Sequence, residues 1–133
     1  MPKKSAPPKS APPLKDDEAA HPVASQWRPT LVKIAKALAE GDYELARGIP
    51  SVAQVSKDTA QAMQEYVEEY GETLVDLPDE TWDSSVAQWM GTHWDVILDL
   101  WTDESGSSDL VLNLRVFEDG KWFRYEIDSL HVP

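Results

Sequence analysis

The sequence predicts an α+β fold, with N-terminal helices packed on one face of a curved antiparallel sheet of three to five strands. Three observations carry this. Residues 93–132 read as three strands, HWDVILDLWT, DLVLNLRVF and WFRYEIDSLHV, separated by the turn sequences DESGSS and EDGK. Apolar residues of the N-terminal half recur instead at helical spacing. Helices first and strands afterwards is the order of an α+β domain, not of alternating α/β units.

Residues 1–21 contain the near-repeats KKSAPP and PKSAPP. Proline blocks helix and sheet, and there is little to bury, so this stretch is expected to be a disordered tail acting as a spacer. Residues 22–133 then form a single domain. Pro29 suits the first turn of a helix, Leu31, Ile34, Ala35 and Leu38 give it an apolar stripe, and Gly41 ends it. Residues 42–47 read as a short second helix stopped by Gly48. Ser56 caps the next helix, whose stripe is Ala60, Met63, Tyr66, Val67 and Tyr70 and whose end is Gly71. Thr73-Leu74-Val75 reads as a short strand and Leu77-Pro78-Asp79-Glu80 as a turn. Residues 85–90 read as a strand that enters the main sheet through Gly91.

In that sheet Trp94, Val96, Leu98 and Leu100 share a face with Leu110, Leu112, Leu114 and Val116, and with Phe123, Tyr125 and Ile127. Asp119-Gly120 suits a two-residue type I′ turn, which would pair Phe117 with Trp122, Val116 with Phe123 and Leu114 with Tyr125. The alternation breaks after Asp128, and a bulge near Ser129 is expected. The opposite face mixes Asp95, Asp99, Glu126 and Asp128 with Arg115 and Arg124, and with Ile97, Trp101, Val111, Phe117 and Trp122.

The net charge is −12. Residues 1–21 hold four lysines against three acids, so the remaining residues carry −13. Such a domain repels nucleic-acid backbones and attracts basic partners. With no cysteine, disulfides and thiolate metal sites are excluded, and no apolar run approaches membrane-spanning length. A cytoplasmic location is expected. Asp95 and Asp99 are four residues apart on one strand, about 13 Å by strand rise, which is wide for a glycosidase carboxylate pair. His21, His93 and His131 lack metal-ligand spacing. Asp99, Asp103, Glu104 and Asp109 surround the DESGSS loop without the spacing of a calcium-binding loop. No serine lies in a nucleophile elbow and no glycine-rich phosphate loop exists. No catalytic residue, cofactor or metal is assigned.

Asp99-Leu100-Trp101-Thr102, followed by Ser108-Asp109-Leu110-Val111-Leu112 and a terminal Leu130-His131-Val132, resembles a family of small uncharacterised bacterial domains. The resemblance spans residues 22–132 and brings no catalytic residues. The helix ending in Gly41-Asp42-Tyr43 ahead of an antiparallel sheet is also similar to NTF2-like proteins. That superfold includes enzymes, ligand-binding proteins and immunity proteins that neutralise toxins, so the likeness does not choose among them.

The leading expectation is an interaction protein, an immunity or antitoxin-type inhibitor that occludes a basic protein partner. Asp95, Asp99, Glu126 and Asp128 would meet its lysines and arginines, with Trp101 and Trp122 as anchors. The alternative is an NTF2-like small-molecule-binding or enzymatic domain, with Asp95, Asp99, Arg115 or His93 in a pocket between helices and sheet. A third reading is a structural or regulatory subunit. A homodimer through the exposed aromatics is compatible with all three.

Overall fold

The stretch that reads as three strands lies at the centre of the fold. The computed structural model describes residues 11–133. Its strands are β1 (His21–Pro22), β2 (Val86–Trp89), β3 (Trp94–Thr102), β4 (Gly106–Asp119) and β5 (Trp122–His131). They form one open antiparallel sheet in the order β1-β2-β3-β4-β5, so each strand pairs with its neighbour in sequence. Two helices, α1 (Arg28–Ala39) and α2 (Lys57–Tyr70), complete an α+β architecture.

Local chemistry sets the helix ends. Proline opens α1, where a missing N–H costs nothing. The Ser56 hydroxyl accepts the Thr59 N–H at 3.2 Å to cap α2. Gly71 closes it at φ +83°, a left-handed conformation that a side chain would strain. The Tyr66 and Tyr70 hydroxyls accept the N–H groups of Val132 (3.1 Å) and Asp109 (3.2 Å). They thereby fasten α2 to the end of β5 and the start of β4.

The core lies between the helices and the inner sheet face. Trp27, Leu31, Ile34 and Leu38 meet Met63 and Val67 of α2 and Trp94, Val96, Leu98, Leu100, Leu112 and Leu114 of the sheet, all buried. Trp27 packs edge-on against Trp94 (5.0 Å between centroids) and Phe123 (5.6 Å).

Four local expectations change. Residues 42–47 do not form a helix: Leu45 turns into the core at φ +55°, which interrupts any helical run, while the Asp42 carboxylate accepts the N–H groups of Ala46 and Arg47. The strand expected at Thr73-Leu74-Val75 reduces to one bridge, Leu74 to Thr102. Of the stretch expected as a tail, residues 1–10 lie outside the described residues, and 11–21 lie against the domain. The Leu14 carbonyl accepts the Trp94 indole N–H at 2.9 Å, Lys15 pairs with Glu118 at 2.7 Å, and His21 bridges Ala87. Proline forbids a helix there but not an extended chain held by its carbonyls, and the buried Trp94 needs an acceptor.

The fourth is the register of the β4–β5 hairpin. Asp119 pairs with Trp122, Val116 with Tyr125 and Leu114 with Ile127, two residues displaced from the pairing that an Asp119-Gly120 turn gives. The loop is Gly120-Lys121, with positive φ at Gly120 alone, as a type II′ turn requires. A two-residue displacement leaves every side chain on its own face, so the hydrophobic pattern could not separate the two frames. The bulge falls at Asp128: Leu114 pairs with Ile127 but Asn113 with Ser129, and Leu130 returns to the core.

Both long edges of the sheet take hydrogen bonds from outside the strands. On the β5 side, the Ala53 N–H donates to the Tyr125 carbonyl and the Tyr125 N–H to the Ser51 carbonyl, each at 2.9 Å. On the β3 side, β2 stops pairing at Ile97. The next outward-facing groups belong to Asp99. Its carbonyl accepts from the Thr81 hydroxyl at 2.6 Å, and its N–H donates to the Ser85 hydroxyl at 2.9 Å. Two buried hydroxyls thus stand where a strand backbone would be. Beyond them the Val75 N–H donates to the Trp101 carbonyl and the Asp103 N–H to the Thr73 carbonyl.

Candidate functional site

The outer sheet face carries the candidate site. Strand pairing orders it in rows. His93 lies at the level of Phe117 and Arg124; then come Asp95, Arg115 and Glu126; then Ile97, Asn113 and Ser129; then Asp99, Val111 and His131; and last Trp101 with Ser107. All six residues singled out from the sequence, Asp95, Asp99, Trp101, Trp122, Glu126 and Asp128, lie on this face. Much of it is open: Ile97 is 41% exposed and Trp122 75%. Val111 by contrast is buried at the far end.

The two tryptophans differ. Trp122 stands out at the tip of the β4–β5 hairpin. Trp101 lies back over Gly106, and its indole N–H is buried without an acceptor among the described residues. Strand rise puts the two about 30 Å apart, at opposite ends of the face. They do not form one anchor cluster of the kind that dominates an interface. Sequence alternation assigns the face correctly but carries no distance along it.

The carboxylates have internal partners. Asp95 meets His93 at 3.0 Å, Asp128 meets Arg115 at 2.9 Å and Glu126 meets Arg124 at 3.1 Å. The Arg124 guanidinium also lies over the Phe117 ring, 4.5 Å from its centroid. With neutral histidines, four carboxylates against Arg115 and Arg124 leave this face only modestly negative. Exposed pairs of this kind contribute about 0–1 kcal/mol each and exchange partners readily.

Sequence reasoning passed over Met90 and Asn113, and named His93 only for the alternative pocket between helices and sheet. With Asp95, Arg115 and Asp128 they line a concavity of about 360 Å³ in the outer face. The Asn113 carboxamide oxygen is buried there with no donor among the described residues. The signal available in the sequence was an amide at a central outward position among charged residues.

The other acidic regions serve the fold or stand alone. Glu72 accepts the Thr102 hydroxyl at 2.7 Å and the Ser105 hydroxyl at 2.8 Å. Glu104 accepts the Thr73 N–H at 2.8 Å and its hydroxyl at 2.9 Å. These bonds, the Thr73 N–H first, hold the Glu104 carboxyl below its ordinary range. The DESGSS loop is therefore bound to residues 72–73 through its own Glu104 carboxylate and through the Glu72 carboxylate, which accepts from Ser105. No group of three or more His, Asp or Glu that could hold a metal occurs among the described residues. A wider groove of about 650 Å³ runs between the α1–α2 connection and α2, past Asp42, Glu44, Lys57, Glu65 and Glu68. Burial, and then Glu68, raises the Tyr43 phenol above its usual value at this groove.

A family model described as a domain of unknown function, DUF7668, matches residues 35–133. The chain belongs to this family. The matched span holds the last five residues of α1, all of α2 and strands β2 to β5, and so the whole outer face. Trp27, Leu31 and Ile34 of the core precede it. No curated protein and no solved structure matches the chain. No helix among the described residues is long and apolar enough to cross a membrane.

Proposed function

We propose that this protein is an interaction domain, of the immunity or antitoxin-inhibitor type, whose outer sheet face docks on a basic protein partner and occludes it. The observation that carries the reading is an open sheet face whose long edges are interrupted by other parts of the chain. Bonds at Tyr125 on one long edge and at Asp99, Trp101 and Asp103 on the other break the continuous backbone that an added strand would need, and recognition falls to side chains. The face offers Trp122 and Ile97 as apolar contacts inside charged surroundings, the composition of an interface with a polar rim. The negative domain would chiefly raise the association rate, so binding should weaken with salt.

The NTF2-like alternative, a small molecule held between helices and sheet, has less behind it. The inner face is filled by Trp27, Leu31, Met63 and their neighbours, and His93, Asp95 and Arg115 lie on the other side of the sheet.

The test is capture of partners by the full chain at low and high salt, beside Trp122→Ala and an Asp99→Lys, Asp128→Lys double variant. The reading expects a basic protein that is lost at high salt and lost by both variants. A partner retained by the charge-reversed variant would sink the assignment of this face.

A further inference from the structure

We infer that the concavity lined by Met90, His93, Asp95, Asn113, Arg115 and Asp128 receives an arginine side chain of the docking partner. The inference rests on the docking reading above and assigns its central contact.

Three observations converge on a guanidinium. The first is charge. Asp95 and Asp128 against Arg115 leave the lining at −1 while His93 is neutral, so one incoming positive charge brings it to zero. The second is hydrogen-bonding capacity. His93 Nε2 engages Oδ1 of Asp95 and Arg115 Nη2 engages Oδ1 of Asp128, which leaves Oδ2 of each carboxylate as an acceptor. The Asn113 carboxamide oxygen is a third acceptor and has no donor among the described residues. Acceptors in excess call for a group with several donors and no acceptor. A guanidinium has five N–H groups in a planar fork, whereas an ammonium has three about one point. The third is shape. A volume of about 360 Å³ holds one long side chain, and Met90, 51% exposed at the rim, offers an apolar wall to its methylenes.

The position also fits a specificity contact. Asp95, Asn113 and Asp128 lie on β3, β4 and β5, in rows between Trp122 at one end of the face and Trp101 at the other. Anchors of an interface concentrate near its centre, where neighbouring contacts keep water out.

The probe is N-acetyl-L-arginine methylamide, titrated into the isotopically labelled full chain and followed by amide NMR. Saturable shifts are expected at the Asn113 side-chain amide and the backbone amides of Asp95, Asn113 and Asp128. The equally sized, uncharged citrulline analogue should bind about tenfold more weakly, because it loses the charge-assisted bonds. Asn113→Leu and Asp128→Asn should each abolish saturation. Asp128 is half exposed, so its variant keeps the test valid even where the Asn113 change disturbs folding. Non-saturating shifts spread evenly over exposed acids such as Glu65 and Glu68, or equal binding of citrulline, would overturn the inference. Saturable binding of the probe beside partner capture that Trp122→Ala leaves intact would keep the arginine pocket and discard the docking face. Capture lost in Trp122→Ala beside no saturable probe binding would do the reverse.

Discussion

Replacing Thr81 by valine tests how the sheet ends on its β3 side. Valine keeps the shape of threonine and puts a methyl group in place of the hydroxyl, whose oxygen is 2.6 Å from the Asp99 carbonyl. Thr81 is fully buried, so no water takes the place of the lost donor at once. Leaving a buried acceptor unpaired costs about 1–3 kcal/mol. Asp99 is itself partly exposed, which lets water reach its carbonyl after a small shift and places the expected loss at about 1–2 kcal/mol. With a urea dependence of about 2 kcal/mol per molar, the unfolding midpoint should fall by about 0.5–1 M. Ser85→Ala removes the acceptor for the Asp99 N–H, and that amide should exchange faster with solvent while its neighbours in β3 do not. The two hydroxyls lie 3.4 Å apart, so the double variant should lose about 0.5–1 kcal/mol less than the sum of the single losses. If both single variants unfold within about 0.3 kcal/mol of the parent, the edge groups are solvated and the reasoning fails.

Other perturbations separate fold from surface. Gly71→Ala meets nothing within 4 Å, so its whole cost is the left-handed backbone at φ +83°, about 1–2 kcal/mol by thermal unfolding. Leu98→Ala, at a fully buried position of β3, should cost about 2–5 kcal/mol in the same assay. Trp122→Ala removes a side chain that is 75% exposed and should change stability by less than about 0.5 kcal/mol, whatever it does to binding. Glu104→Gln should destabilise at neutral pH. Because folding depresses the Glu104 carboxyl, the stabilisation is present above its unfolded-state pKa and is lost as pH falls through the lowered folded value. Urea midpoints of parent and variant should therefore converge in strong acid, and a gap that persists there would point to a packing cause instead.

The elements that could be read from the sequence are those set by local rules. The Ser56 cap, Gly71 and the stripe of Ala60, Met63 and Val67 each follow from contacts within one helix. Alternation in β3 and β4 names the inner face because burial has period two there. What escaped depends on the chain meeting itself. The hairpin frame is one such case, since both frames bury the same residues. Leu45 takes a left-handed backbone only because the core has room for it. Residues 11–21 look like spacer until Trp94 presents an indole that needs an acceptor. The outer face followed the same division. Its membership came from alternation, but the pairing of Asp128 with Arg115 depends on the extra residue in β5. The gathering of Met90, His93 and Asn113 around one hollow required the strands in register.

The Thr81 and Ser85 hydroxyls have a consequence for assembly beyond this one chain. Growth by strand addition is a propagating step: each chain that joins an edge presents a fresh edge to the next. At one side of the sheet two side chains act as terminators of that reaction, and at the other the backbone of residues 51–53 does the same. A face, by contrast, is consumed when it is covered. A complex in which the outer surface meets a partner, or the same surface of a second copy, therefore has a fixed stoichiometry, and concentrating the protein should then lead to defined particles, not fibres.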